Sequence, residues 1–450
     1  MSDAALSAPA PAIAPPPAPT PRALLALALP AAASVMLNNG FRVVDQYVAQ
    51  WIGVEAQAAI GSCTFVLILL YAIWATVAYG LGPLMARAQG AQDPQLRGAA
   101  FGAGMAAAAV IGLLSFGLCA ALAPEIAAAM GLSGETAAQS VAYLRALALA
   151  GLPLALAPAV DQALFAMGRT GLSMALHAVS TALNLGVSAL LVHHFGLGIE
   201  AAAAASGLSR GLTLVVALVV LWRELRPPRQ SFRDLDMVLR LVRIGLPVAL
   251  NTAAYALVYW ALLRWAISPL GPAVNAALGI GFSALEGLSW PLFSGLSVGV
   301  SSLVGRQLGA GRPDLAAKAL RVGLWPVTAA GVGAGLAFGL LAEELCEPFT
   351  DDPEVLAQAV LYARVLAFSQ PFVAWESLAE GVLQGAGDTR TVLRWSSPLN
   401  LLRVPLCWAL AGPLGLGAEG VWWGINLTTM LKALGKGQAA WRGRWANTIV

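Results

Sequence analysis

The sequence predicts an all-α polytopic membrane protein with twelve transmembrane helices in two six-helix bundles related by pseudo-two-fold symmetry. Three observations carry this. Of 450 residues, 58% are hydrophobic and 11% are charged, and the mean hydropathy is +0.74. Soluble domains carry about 25% charged residues, so a water-soluble fold of this length could not cover its surface. Apolar stretches of about 20 residues, enough to cross a bilayer as a helix, recur along the chain. The linkers between them alternate in charge, and the two halves of the chain repeat each other.

Residues 1–21, "MSDAALSAPAPAIAPPPAPTP", are rich in Pro and Ala. They lack the basic start and apolar core of a signal peptide and are expected to form a disordered tail. Residues 22–222 then hold six apolar spans, near 23–48, 58–83, 98–122, 140–166, 172–194 and 198–222. A basic linker, 223–239, leads to residues 240–436, with spans near 240–267, 274–303, 317–341, 359–384, 392–411 and 416–434. Lys432 and Lys436 make the last of these the weakest. Residues 437–450 read as a second tail.

One set of linkers is basic, with Arg87 and Arg97, Arg169, the run from Arg223 to Arg243, Arg306 to Arg321, and Arg390 with Arg394. The opposite set is acidic or neutral, with Glu55, Glu125, Glu135, the run from Glu343 to Glu354, and Glu419. Short Lys/Arg-rich loops stay cytoplasmic. The expected location is therefore the bacterial inner (plasma) membrane, with both termini cytoplasmic.

"RAQGAQDPQL" begins at Arg87 and "RQLGAGRPDL" at Arg306, an offset of 306 − 87 = 219. "MGRT" at Met167 and "AGDT" at Ala386 keep that offset, as do "GLGIE" at Gly196 and "GLGAE" at Gly415. This is an internal duplication. An even number of spans per half makes the repeats parallel, and a two-repeat membrane fold favours a secondary transporter with its substrate cavity between the halves. No GxxxxGK[ST] loop is present for ATP, and no HExxH or GxSxG for intramembrane hydrolysis, so no enzyme activity is expected. Cys63, Cys119, Cys346 and Cys407 are far apart and form no CxxC, which argues against a disulfide framework or a zinc site. No resident cofactor or metal is expected.

With these anchors in place, the sequence resembles the multidrug and toxic compound extrusion (MATE) transporters. The matching segments include "LALPAAASVMLNNGFRVVDQYVAQWIG", "GPLMARAQGAQD", "ALNLGVSALLVHHFGLGIEAAAAAS", "VGRQLGAGRPDLAAKAL" and "LAEGVLQGAGDTRTVL". The resemblance implies export of organic, often cationic or amphipathic, compounds by alternating access in exchange for protons or sodium ions. A flippase for a lipid-linked saccharide or other lipid intermediate is the alternative within the same superfamily. Small organic substrates and membrane lipids are the expected partners, nucleic acid is not, and the chain is expected to act as a monomer.

An ionisable residue inside a span marks function by default, because it costs about 2.5–3.5 kcal/mol or more at mid-bilayer. The resemblance gives Asp45 the place of the acid that binds the coupling cation, H+ or Na+. Asn184, Ser188 and Ser206 fall at polar positions of that site in the DinF-like branch, with Ser188 where that branch has a second acid and Phe41 where Tyr is common. Arg42 departs from the pattern. It could pair with an anionic substrate group, or neutralise Asp45 on the same helical face.

Asp161 and Glu380 stand at duplicated positions, 219 apart, and could line the cavity from both halves. Glu286, Glu376 and Glu380 could replace the family's second-half acids, one of whose places is taken by Tyr255. A negative cavity would suit a cationic drug. The alternative is compensation by Arg264 and Arg403 in buried ion pairs. Trp290, with Pro291 and Phe293, could form an aromatic wall for planar substrates. His177, His193 and His194 lack a further metal ligand.

Overall fold

The computed structural model describes residues 16–149 and 151–449; within these, the side chains of residues 41–43, 46, 54, 64–65 and 283–284 lie outside the described set. The described residues form helices and short connections, in the order the hydrophobic pattern predicts. Span 1 is Pro21–Ala49, span 2 Val54–Gly90 and span 3 Pro94–Ala121. Span 4 is a bent pair, Gly134–Leu149 and Leu152–Ala166. Span 5 is Thr170–Ser188, extended to His194, and span 6 is Ile199–Leu225.

In the second half, span 7 is Leu235–Leu262, extended to Leu270. Span 8 starts with Pro272–Ile280 and runs on through Glu286–Gly309. Span 9 is Pro313–Leu340. Span 10 is a second bent pair, Pro353–Ala367 and Gln370–Gly385. Span 11 is Thr389–Ala411 and span 12 Gly417–Trp441. The bends are 57° in span 4 and 55° in span 10. The helices after the breaks start 218 residues apart, at Leu152 and Gln370, so the duplication extends to the shape of the helices.

Helix ends follow local chemistry. Span 1 begins at Pro21, where Thr20 Oγ1 accepts from the Ala23 amide at 3.1 Å. Asp93 accepts from the amides of Gln95 and Leu96 at 3.0 and 2.9 Å ahead of span 3. Asp352 does the same for span 10 and Asp388 for span 11. Each satisfies amides that the first turn leaves unpaired.

The chain divides by its contacts into two compact units. One comprises Leu37–Gly245 and Gly305–Arg312; the other comprises Ala18–Met36, Leu246–Val304 and the described residues from Pro313 on. The divisions fall inside spans 1, 7 and 8. In the second unit, Gly295 of span 8 lies against the backbone of Ala28 and Ala32 on the first part of span 1. In the first unit, Gly245 of span 7 lies against Thr76 and Gly80 of span 2. Gly295 and Thr76 are duplicated positions, 219 apart. Small residues at both crossings let backbones touch, which is how helices associate where lipid removes the hydrophobic drive.

Each unit has its own apolar core. In the first, Trp74 packs on Phe116 at 5.0 Å between centroids. In the second, Tyr362 meets the buried Trp422 edge-on at 4.8 Å. The opposite faces of the spans stay apolar: Leu113, Leu114 and Leu118 of span 3 are 61, 68 and 61% exposed. An uncovered apolar belt of this kind suits lipid rather than water.

Candidate functional site

Asp45 lies in the last two turns of span 1 and is 7% exposed. Ser206 of span 6 donates its hydroxyl to Asp45 Oδ1 at 2.8 Å. Asn184 of span 5 donates through Nδ2 to Ser206 Oγ at 2.8 Å, and the same group lies 3.4 Å from Asp45 Oδ1. Three residues far apart in sequence thus share one polar knot among apolar helices. Ser188 is one turn beyond Asn184 on the same face and, like it, fully buried.

Two oxygens of this group, Asn184 Oδ1 and Ser188 Oγ, are buried with no hydrogen-bond partner among the described residues. Buried polar atoms are rarely left so. A carboxylate, an amide oxygen and hydroxyls make an all-oxygen donor set, suited to a proton or a hard cation. The side chains of Arg42 and Phe41 lie outside the described residues.

The sequence reading missed Arg210. It lies one turn beyond Ser206 and donates to Asn38 Oδ1 of span 1 at 2.9 Å. Thr181 of span 5 donates to the Leu37 carbonyl at 3.2 Å. Spans 5 and 6 are therefore each fastened to span 1 below Asp45 as well as at it. The four-residue spacing from Ser206 was the available signal for Arg210.

Asp161 does not stand free. It accepts from Ser173 Oγ at 2.7 Å and sits 3.0 Å from His177 Nε2, joining spans 4 and 5. His177 thus faces a carboxylate. His193 and His194 instead lie beside the Trp51 and Phe195 rings. Among the described residues, no group of three or more His, Cys, Asp or Glu is placed to hold a metal.

In the second unit the expected negative lining is neutralised. Lys436 of span 12 donates to Glu376 at 2.8 Å and to Glu380 at 2.7 Å. Lys432, one turn earlier, reaches Glu376 at 3.3 Å. The compensating cations are therefore these two lysines, not Arg264, which is exposed. The i, i+4 spacing of both pairs brings the stripes of spans 10 and 12 face to face. The sequence reading had counted the lysines only against the span.

Arg403 is 1% exposed, yet it too has a different role from the one expected. It donates to Thr428 and Thr429 Oγ1 at 2.9 and 3.0 Å and to the Tyr259 hydroxyl at 3.3 Å. Glu286 accepts from the Tyr362 hydroxyl. Among the described residues, Glu286, Glu376 and Glu380 thus share the interior of this unit with Arg403, Lys432 and Lys436. Tyr255 rests on Tyr259, 4.6 Å between centroids. Of the expected aromatic wall, Trp290 is 52% exposed and Phe293 is fully buried.

A duplicated all-helical membrane fold with a buried acid knotted between three spans defines a class, the polytopic transporters. The family model MatE matches residues 30–190 and 247–409, so the chain belongs to the MatE family, whose members are transporters and not enzymes. It is 25% identical over 335 residues to the probable multidrug resistance protein NorM of Thermotoga maritima, covering 71% of this chain and 70% of that one. It is 23% identical over 440 residues to the probable multidrug resistance protein YoeA of Bacillus subtilis, covering 92% and 94%.

Solved structures share the fold. A MOP superfamily transporter from Pyrococcus furiosus, described as having a binding pocket of reversed polarity that suggests a different function, superposes with a TM-score of 0.88 at 18% identity, over 96% of this chain and 98% of that one. The bent form of the Vibrio cholerae MATE transporter VcmN gives 0.88 at 19%, over 94% and 96%.

Proposed function

We propose that this protein is a secondary active antiporter of the inner membrane, exporting organic, cationic or amphipathic compounds in exchange for protons or sodium ions by alternating access. The hydrogen-bonded knot of Asp45, Asn184 and Ser206 carries this reading. It is an acid held in apolar surroundings by neutral groups, with two unpartnered buried oxygens beside it. A cation could bind there at the carboxylate and the oxygens beside it. The relatives named as multidrug resistance proteins support export of drugs or toxins and give no support to the flippase alternative. The charge pattern of the linkers favours cytoplasmic termini.

The test is efflux of ethidium from energised cells expressing wild type or Asp45→Asn, each with a proton uncoupler or in sodium-free buffer. Wild-type efflux that is lost in Asp45→Asn supports the coupling role, and the treatment that stops wild type names the ion. Undiminished efflux in Asp45→Asn would overturn it.

A further inference from the structure

The second unit carries a cavity that the transport reading does not use. It has a volume of about 420 Å³ and lies between the start of span 11 and the end of span 12. Arg394, Arg442 and Arg444 line it together with Trp395, Trp445 and Asp388. Among the described residues, these three guanidinium groups make no ion pair and no hydrogen bond. All three are exposed at the mouth of the cavity, and their like charges together favour an anion there.

The acid of the cavity does not answer that need. Asp388 is engaged as the cap of span 11, with Oδ1 accepting from the Thr391 amide at 3.3 Å and Oδ2 from the Thr391 hydroxyl at 2.8 Å. Three positive charges face one occupied negative charge.

The walls are fixed. Trp445 is 1% exposed, and its Nε1 donates to the Ala440 carbonyl at 2.6 Å. Trp395 lies so close over Gly435 that a Cβ there would overlap its ring. Gly443, at φ 71°, turns the chain back after span 12 and sets Arg444 into the same cavity as Arg442. A side chain at 443 would strain that turn.

Trp441 at the end of span 12 is 63% exposed and Trp395 38% exposed, and tryptophans favour the membrane–water boundary. Basic pockets between transmembrane helices on the cytoplasmic side take anionic head groups. Planar guanidiniums suit phosphate in particular, because they can bind two of its oxygens at once.

We propose that this cavity binds a phosphate-bearing anion, either the head group of an anionic phospholipid or a soluble phosphate compound, independently of the transported substrate. The test uses the purified full-length protein in detergent and reads thermal stability and retained ligand, by native mass spectrometry. The probes are phosphatidylglycerol, phosphatidylcholine and inorganic phosphate, each alone. The variants are Arg442→Gln with Arg444→Gln, Arg394→Gln alone, and Arg364→Gln as an equally exposed arginine outside the cavity.

Wild type and Arg364→Gln should be stabilised by phosphatidylglycerol and not by phosphatidylcholine. Affinity should fall roughly fivefold for each cavity arginine removed. Stabilisation by phosphatidylglycerol alone assigns the site to lipid; a matching response to inorganic phosphate, lost in the same variants, assigns it to a soluble ligand. An equal response of wild type and the cavity variants, or an equal response to phosphatidylcholine, overturns the proposal. Arg394→Gln keeps the test open should the double variant not fold.

Discussion

Gly90 lies against the backbone carbonyl of Arg306, and Gly309, 219 residues later, lies against that of Arg87. Spans 2 and 8 therefore cross through two copies of the same Arg-x-x-Gly segment, each glycine receiving the other's backbone. This explains why Gly305–Arg312 belongs by its contacts to the first unit.

No side chain fits at that crossing. Gly309→Val should force the helices apart and destabilise the protein by at least the 1–3 kcal/mol typical of overpacking. Gly437→Ala, where nothing lies within 4 Å of the added Cβ, should be neutral or slightly stabilising. Thermal unfolding of both variants in detergent checks the contrast; equal behaviour would refute the crossing as a tight contact.

Ser206 orders Asp45 without carrying charge. Ser206→Ala removes one hydrogen bond to the carboxyl and leaves Asn184 nearby. A bond to a charged group is worth about 1.5–3 kcal/mol, so the coupling-ion concentration for half-maximal efflux should shift about tenfold or more. Maximal efflux should survive. A variant with unchanged ion dependence would show that the hydroxyl does not serve the ion.

The Lys436 contacts yield a double-variant test. Lys436→Met leaves Glu380 without its cation while Glu376 keeps Lys432. Breaking a buried pair on one side costs about 3–5 kcal/mol. Glu380→Gln in the same background should recover much of that loss, since the stranded charge is then gone. Unfolding of the single and double variants reads the coupling, and additive losses would count against the pairing.

His177→Ala removes one of the two polar partners joining span 5 to Asp161 and keeps Ser173. Stability should fall by about 1–3 kcal/mol, with the midpoint of unfolding lower by a few degrees and the efflux substrate range unchanged. A changed substrate range at unaltered stability would support the cavity role expected for Asp161.

The number and order of the spans were legible because hydropathy is local: about twenty apolar residues need no distant partner to become a membrane helix. The duplication was legible because the turn segments at Arg87 and Arg306, and at Met167 and Ala386, keep their residues at one offset of 219. Asp45, Asn184 and Ser206 were singled out through their match to a family pattern, and the hydrogen bonds join them. Other assignments depended on how each helix is rotated about its own axis, which packing decides. That rotation set Lys432 and Lys436 against acids 56 and 60 residues away, and gave Arg403 to hydroxyls. Packing likewise distributed spans 1, 7 and 8 between the two units, and it gathered three arginines around one cavity. Composition fixes which charges enter the membrane, but only the fold decides which of them meet.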